Sequence, residues 1–361
     1  MCVNVGKISR VMEEMKQDKT GADKLVVIVT GASSGIGKAI ALELAGPAGE
    51  KRFRVWATMR DPSKWEGGDG GGGGGDGGVE DGGKESETLR IGALDVTSEE
   101  SVAALVDRVM KEEGRIDMLV NNAGFGLSGY LETVHVDEAK ALFEVNVWGV
   151  VRMLHATLPH MRKARRGYVI NISSTSGMRG IPCFDFYTSS KFALEGMTDS
   201  MRYALAPFNI SVTNLNAGPV VTKFTDRFGN AETGGRGTRD LDDTTGYIDG
   251  LNEYMVLALN QRMASAEAQT AQSVGVIVHH LALRKFIDGR GRITDVPFNM
   301  GTSPESQKII EDVRVNPTGW GGAYTRLLAN LPPMQQHQKE EGGEEGILQQ
   351  QQHKEENHEE L

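Results

Sequence analysis

Tyr187 and Lys191 stand four residues apart in the run Tyr-Thr-Ser-Ser-Lys, at the start of a helical pattern, and this spacing puts both on one helix face. None of the other six tyrosines has a lysine four residues on. A free phenol ionises near pH ~10 and trades protons poorly at neutral pH, whereas a neighbouring ammonium favours the phenolate. The pair is therefore a candidate acid/base couple. Ser174 lies thirteen residues earlier, just past the apolar run YVINI, where a hydroxyl can hold a substrate oxygen and stabilise charge developing on it. Taken singly, these residues also read as a surface helix pair and a serine in a turn.

A second group of residues suits a phosphate. Thr30-Gly31-Ala32-Ser33-Ser34-Gly35-Ile36-Gly37 follows a β-branched run and opens a helical pattern. In that context glycines permit a sharp turn, close approach of an anion to the backbone and tight strand-helix packing, and the free N–H groups of the helix start face the anion. The spacing Gly-x-x-x-Gly-x-Gly differs from the Gly-x-Gly-x-x-Gly dinucleotide fingerprint. The next strand ends Ala57-Thr58-Met59-Arg60, with Met59 near the position where NAD enzymes place a carboxylate. Arg60 offers a cation to a 2′-phosphate, with Ser33 and Ser34 as added donors, which favours NADP(H). Asp61 follows and leaves NAD(H) open; Arg60 itself also reads as a solvated surface charge.

The elements that must position these groups alternate. Leu25–Thr30, Arg54–Thr58, Leu89–Leu94, Ile116–Val120, Tyr168–Ile172 and Ile210–Asn214 read as buried strands, and Glu99–Glu112, Asp137–Arg162 and Ser189–Ala206 as helices between them. Such alternation predicts an α/β fold with a parallel, doubly wound sheet, helices on both faces and ligands at the carboxyl ends of the strands. Gly67–Gly83, where twelve of seventeen residues are glycine, cannot repay the entropy of ordering and reads as a flexible insertion. The Gln/Glu-rich stretch from about Met334 reads as a disordered tail.

Bulk properties bound the function. The 361 residues are 39% hydrophobic and 24% charged, which is globular composition. Of the net charge of −10, residues 334–361 carry −6, so the remainder is mildly acidic and offers no basic stripe to a nucleic acid. The two cysteines, Cys2 and Cys183, suggest neither a disulfide framework nor a thiolate metal site. His155, His160, His279 and His280 have no evident carboxylate or cysteine completing a site, so no metal is expected. The first 24 residues lack the apolar core of a signal peptide, and no apolar run reaches the ~18–20 residues of a membrane span. A cytoplasmic location is the expectation.

TGASSGIG, the NNAG segment Asn121–Gly124, Asn146 in VNVWG, Ser174 and YTSSK together resemble the short-chain dehydrogenase/reductase family, in order and spacing, over roughly residues 25–225. The run YTSSKFALEGMTDSMRYALAPFNISVTNLNAGPVVTKF, with ATMRDP after the second strand, resembles the 17β-hydroxysteroid dehydrogenase and retinol dehydrogenase branch. The resemblance implies a single Rossmann-type domain of about seven strands over 25–330, preceded by an extension over 1–24, with a substrate lid at about 223–260 and the tail at 331–361. It makes Tyr187 the proton donor, Lys191 its partner and the holder of the nicotinamide ribose, Ser174 the group orienting the carbonyl, and Asn146 the anchor of a relay water. Asp95 would contact the adenine ring, Asn122, Ala123 and Gly124 line the cofactor, and Pro219, Val220 and Thr222 lie beside the carboxamide. Asp95 and Asn146 read otherwise as a helix cap and a satisfied polar core residue.

The expected function is NADP(H)-dependent interconversion of a carbonyl and an alcohol. The branch resemblance points to a lipophilic substrate such as a retinoid or steroid, and a homodimer is a candidate assembly. Phe184, Phe186, Phe224 and Phe228 suit an apolar pocket, though they equally suit core packing. The alternative class is a cofactor-binding sensor or scaffold without turnover, which loss of Asn146, Ser174, Tyr187 or Lys191 would have favoured; all four are present.

Overall fold

The structure, a computed structural model, describes residues 24–46, 52–65, 85–132, 134–222, 224, 269–286, 299–302 and 307. The glycine-rich insertion at 67–83, the N-terminal extension to residue 23, the tail and nearly all of the expected lid lie outside the described residues.

Strand β1, Leu25–Val29, is five apolar residues buried throughout, as a strand covered on both faces must be. It pairs in parallel with β2, Phe53–Met59, and β4, Met118–Asn121. Beyond them lie β3, Leu89–Ala93, on one side and β5, Gly167–Ser174, and β6, Ile210–Ala217, on the other. A short strand β9, Asn299–Gly301, completes a seven-stranded sheet in the order β3-β2-β1-β4-β5-β6-β9, every pairing parallel. The chain winds outward from β1 through β2 to β3, then returns to β4 and winds the other way. The strand order therefore reverses between β1 and β4, where a crevice opens at their carboxyl ends. This is the doubly wound parallel sheet that the alternating pattern predicts.

Side chains that alternate along each strand feed two cores. Val27 and Val29 pack with helix α1, Gly35–Ala45, and with α6, Ala271–Phe286. Val26 and Ile28 face the opposite layer, formed by α2, Glu99–Glu113, α4, Gly149–Ala164, and α5, Asp185–Leu205. Each fully buried Val or Ile contributes roughly 1.5–3 kcal/mol, so the strands are fixed by burial on both faces. Local signals set the ends: α2 begins at Ser98, whose hydroxyl accepts the Ser101 N–H at 3.1 Å, and stops at Gly114 in the left-handed conformation at φ 71°.

Three features depart from the linear reading. The helix expected over 137–162 is α3, Val136–Phe143, and α4, joined through a wide π-helical turn at Glu144–Trp148 that carries Asn146. A one-residue widening of this kind leaves no periodicity signal and occurs characteristically at functional positions. Helix α5 begins at Asp185, four residues before the expected Ser189, so Tyr187 and Lys191 both stand in its first two turns. Beyond residue 222, β7, Val220–Val221, pairs with β8, Gln269–Thr270, directly before α6. Strands of two or three residues are too short for periodicity to show.

Candidate active site

The glycine turn sits at the β1 side of the crevice. Gly31 and Gly35 hold φ values of 64° and 57°, which an L side chain rarely adopts. A Cβ on Gly31 would lie 2.7 Å from the Ala123 Cα, and one on Gly37 would lie 2.5 Å from the Gly31 carbonyl oxygen and collide with the Asn122 amide. Helix α1 starts from Ser34 with no side-chain cap and no acidic residue in its first turn. Its amide dipoles therefore point out of the turn unopposed, a cradle that fits an anionic pyrophosphate.

Thr30 and Asn122 serve the frame of this turn. Thr30 is buried, and its hydroxyl accepts the backbone N–H groups of Asn122 and Ala123, each at 3.0 Å. The Asn122 amide donates to the carbonyls of Thr30 and Gly31, again at 3.0 Å each. The NNAG segment thus clamps the turn from β4. From the far side Thr222 approaches Gly35, where a Cβ would lie 3.3 Å from its side chain, and Val220 is buried beside Pro219. The expected cofactor residues Gly31 to Gly37, Asn122 to Gly124 and Pro219 to Thr222 therefore converge on one crevice. Ser33 is half-buried, Ser34 exposed and Ile36 half-buried along its rim.

Arg60 and Asp95 lie at the β2 and β3 ends of the same edge. Arg60 is exposed. The Asp95 carboxylate accepts from the Thr97 N–H at 2.9 Å and the Thr97 hydroxyl at 2.7 Å. These bonds, with the charges of Arg60 and Arg152, hold its carboxyl below the usual carboxylate range.

The candidate acid/base group lies by the end of β5. Tyr187 is 8% exposed, packed with Leu142, Cys183 and Phe184 and lined by Phe125, Tyr130, Phe186 and Phe224. The Phe224 ring lies 5.8 Å from the tyrosine ring. Phe228 lies outside the described residues. Burial pushes the phenol up to about 12, and a hydrogen bond with the Ser174 side chain opposes that rise. The ammonium of Lys191 stands 5.7 Å from the centre of the tyrosine ring and donates to the Ile172 carbonyl at 2.9 Å. Burial draws Lys191 down to about 8. The sequence predicts that the Lys191 ammonium favours the phenolate; in this structure the largest effect on the phenol is desolvation, which favours the protonated form.

Ser174, 9% exposed, accepts the Ser176 N–H at 3.1 Å, which fixes its hydroxyl at the strand end. Asn146, 2% exposed, accepts the Phe125 N–H and donates to the Phe125 carbonyl, both at 3.0 Å, and donates to the Ser190 hydroxyl at 3.2 Å. Ser190 in turn donates to the Tyr187 carbonyl at 2.7 Å. In this arrangement Asn146 braces the loop after β4 against the first turn of α5. Cys183 takes φ 63° just before that turn, and its carbonyl accepts the Gly129 N–H at 2.7 Å. A left-handed non-glycine residue costs roughly 1–2 kcal/mol, so this tie between two loops beside Tyr187 is held against local preference.

The residue sequence reading did not single out is Glu195, buried on α5 four residues past Lys191. The signal was present: Tyr187, Lys191 and Glu195 share one helix face at successive four-residue steps. The histidines have another setting. His279 meets Glu43 at 3.0 Å between α6 and α1, and among the described residues no three His, Cys, Asp or Glu side chains gather as a metal site. No helix among the described residues is long and apolar enough to cross a membrane.

A buried phenol beside a turn shaped for a pyrophosphate, at the switch point of a parallel sheet, is an arrangement suited to an oxidoreductase of the dinucleotide-binding α/β class. Comparison with known proteins agrees. The family model described as short chain dehydrogenase matches residues 78–233. The chain is 39% identical over 211 residues to the 3-ketodihydrosphingosine reductase of Bacteroides thetaiotaomicron, covering 58% of this chain and 70% of that one. It is 41% identical over 198 residues to human retinol dehydrogenase 8, covering 55% and 60%. Human 17-beta-hydroxysteroid dehydrogenase type 1 is 40% identical over 204 residues, covering 56% and 59%. A short-chain dehydrogenase from Streptomyces avermitilis shares the fold with a TM-score of 0.60 over 85% of this chain and 99% of its own, at 24% identity. The chain belongs to the short-chain dehydrogenase family.

Proposed function

We propose that this chain interconverts a carbonyl and an alcohol on a lipophilic substrate, using NADP(H), with Tyr187 as its acid/base. The observation that carries the reading is the buried Tyr187, with the Ser174 side chain acting on its phenol and the Lys191 ammonium 5.7 Å from its ring centre, at the edge onto which the glycine turn opens. Bound at that turn, the nicotinamide would supply or take up the hydride. The protein's part is then placement and the proton. Ser174 holds the substrate oxygen within reach of the phenol, and Tyr187 gives that oxygen a proton in reduction or takes it in oxidation. With its phenol at about 12, Tyr187 keeps its proton at neutral pH, so the acid needed for reduction is already loaded. Oxidation calls for the phenolate and should accelerate as pH rises. The apolar wall of Phe184, Phe186 and Phe224 excludes water and suits a lipophilic carbonyl. The similar retinol dehydrogenase, hydroxysteroid dehydrogenase and ketodihydrosphingosine reductase are named for lipophilic substrates of the same chemical class.

The test is NADPH consumption against retinals, ketosteroids, long-chain ketones and short aliphatic aldehydes. Preference for the lipophilic members is expected; activity confined to the short aldehydes would remove the substrate reading. The cofactor choice rests on exposed Arg60 just past the end of β2, next to Met59, which lies near the position where NAD enzymes place a carboxylate. Arg60→Ala should raise KM for NADPH about tenfold, the loss of one charge-assisted phosphate contact, and leave KM for NADH nearly unchanged. Equal effects on both cofactors would show that Arg60 does not read a 2′-phosphate.

A further inference from the structure

Glu195 is 9% exposed, and a carboxylate persists at such a place only with partners that replace its water. Three donors converge on it: the Ser173 hydroxyl at 2.5 Å, the Asn216 amide at 2.6 Å and the Asn214 amide at 2.6 Å. All three give a hydrogen to the carboxylate and, with the charge of Lys191, oppose the rise in proton affinity that burial imposes on it. The turn at 175–177 closes tightly over it, since a Cβ on Gly177 would lie 3.0 Å from the Glu195 Cγ. Its partners lead in two directions. Asn216 also donates to the Ser174 carbonyl at 3.3 Å, and Ser173 is the neighbour of Ser174. Asn214 accepts from Asn171 at 3.4 Å, and Asn171 accepts from Asn121 at 2.8 Å, so an amide ladder crosses β6, β5 and β4 beneath the site.

We propose that Glu195 is a positioning residue of this site: a buried counter-charge that keeps Lys191 cationic and, through Ser173 and Asn216, locks the strand end that presents Ser174. A neutral glutamine would fill the same space but turn its own NH2 toward a donating amide, so the three donors already call for a carboxylate here. Lys191 is the cation that its charge serves. It is buried one helical turn away, where desolvation draws its proton affinity down and the negative charge of Glu195 raises it. The other groups facing Lys191 do not supply that charge. From α5 comes the Tyr187 ring and from β5 the Ile172 carbonyl, while the amides of Asn214 and Asn216 on β6 are turned to Glu195. The wide turn brings Glu144, which pairs with Arg152, and α3 brings Asp137 and Lys140, which pair with each other at the surface.

The kinetic consequence rests on the carbonyl-reductase reading; the titration of Lys191 does not. In the wild type, kcat/KM for carbonyl reduction should fall on the alkaline side as Lys191 loses its proton. Glu195→Gln should move that limb about one pH unit toward acid, and Glu195→Asp, which keeps the charge, should return most of it. An NMR titration of lysine labelled with ¹⁵N at Nζ, with the Lys191 signal assigned by its loss in Lys191→Met, should show the same displacement without substrate. A lower kcat with an unmoved limb and an unmoved Lys191 titration would make Glu195 merely structural and overturn the proposal. Should Glu195→Gln not fold, Glu195→Asp decides: its withdrawn carboxylate should give a smaller shift in the same direction, and none would overturn the proposal. A wild type that reduces no carbonyl would remove the functional reading while the NMR titration still decides the role of Glu195.

Discussion

Tyr187→Phe is expected to lower kcat about a thousandfold while leaving dinucleotide binding within about twofold of wild type, the range for loss of a positioned general acid. The ring stays, so the packing against Phe224 and the rest of the apolar cluster stays with it. What is lost is one oxygen, the proton donor hydrogen-bonded to Ser174. The measurement is steady-state turnover beside a fluorescence titration with NADPH. Full turnover in the variant would place the acid/base elsewhere and sink the mechanism. Loss of turnover together with loss of binding would show that the phenol helps to hold the cofactor, and would leave the acid/base role to the pH profile. That profile carries its own expectation. Because burial holds the phenol protonated, oxidation should rise with pH across the neutral range while reduction does not.

Gly37→Ala should unfold the glycine turn locally and destabilise the whole domain. The added methyl would meet the Gly31 carbonyl oxygen at 2.5 Å and the Asn122 amide, which is already committed to the carbonyls of Thr30 and Gly31. Relief requires moving backbone or giving up both of those bonds. Overpacking costs roughly 1–3 kcal/mol and each lost buried hydrogen bond about 1 kcal/mol, a total of about 3 kcal/mol. Thermal unfolding should show a fall in Tm of roughly 6–12 °C. Dinucleotide affinity should fall at least about tenfold, because the same shift turns the first amides of α1 away from the pyrophosphate. A variant with wild-type Tm and binding would mean that the turn is not the cradle inferred from its geometry.

Much of this architecture is written locally. The strands β1 and β2 and the first half of β5 show as largely apolar, β-branched-rich runs because a doubly covered parallel strand has no solvent-facing side. The glycine turn and the Tyr187–Lys191 spacing are equally legible, since positive φ at Gly31 and Gly35 and a shared helix face are properties of a few consecutive residues. Asn146 was visible as a residue, but its wide turn was not, because one inserted residue per turn leaves the apolar spacing of α3 and α4 almost intact.

The chain's residues alone determined the type of fold, and they marked the glycine turn and the Tyr187–Lys191 pair as site candidates, because each depends on neighbours within about one turn or one strand. Tertiary structure decided how strongly Tyr187 holds its proton. That depends on Phe184, Leu142 and Phe224, which come together from separate segments and exclude water. It also decided that Thr30 and Asn122 frame the turn, and that Glu195 lies within reach of Ser173, Asn214 and Asn216. Hydrogen bonds across β4, β5 and β6 join residues tens of positions apart, and electrostatic effects grow as water is removed. Spacing along a chain records neither.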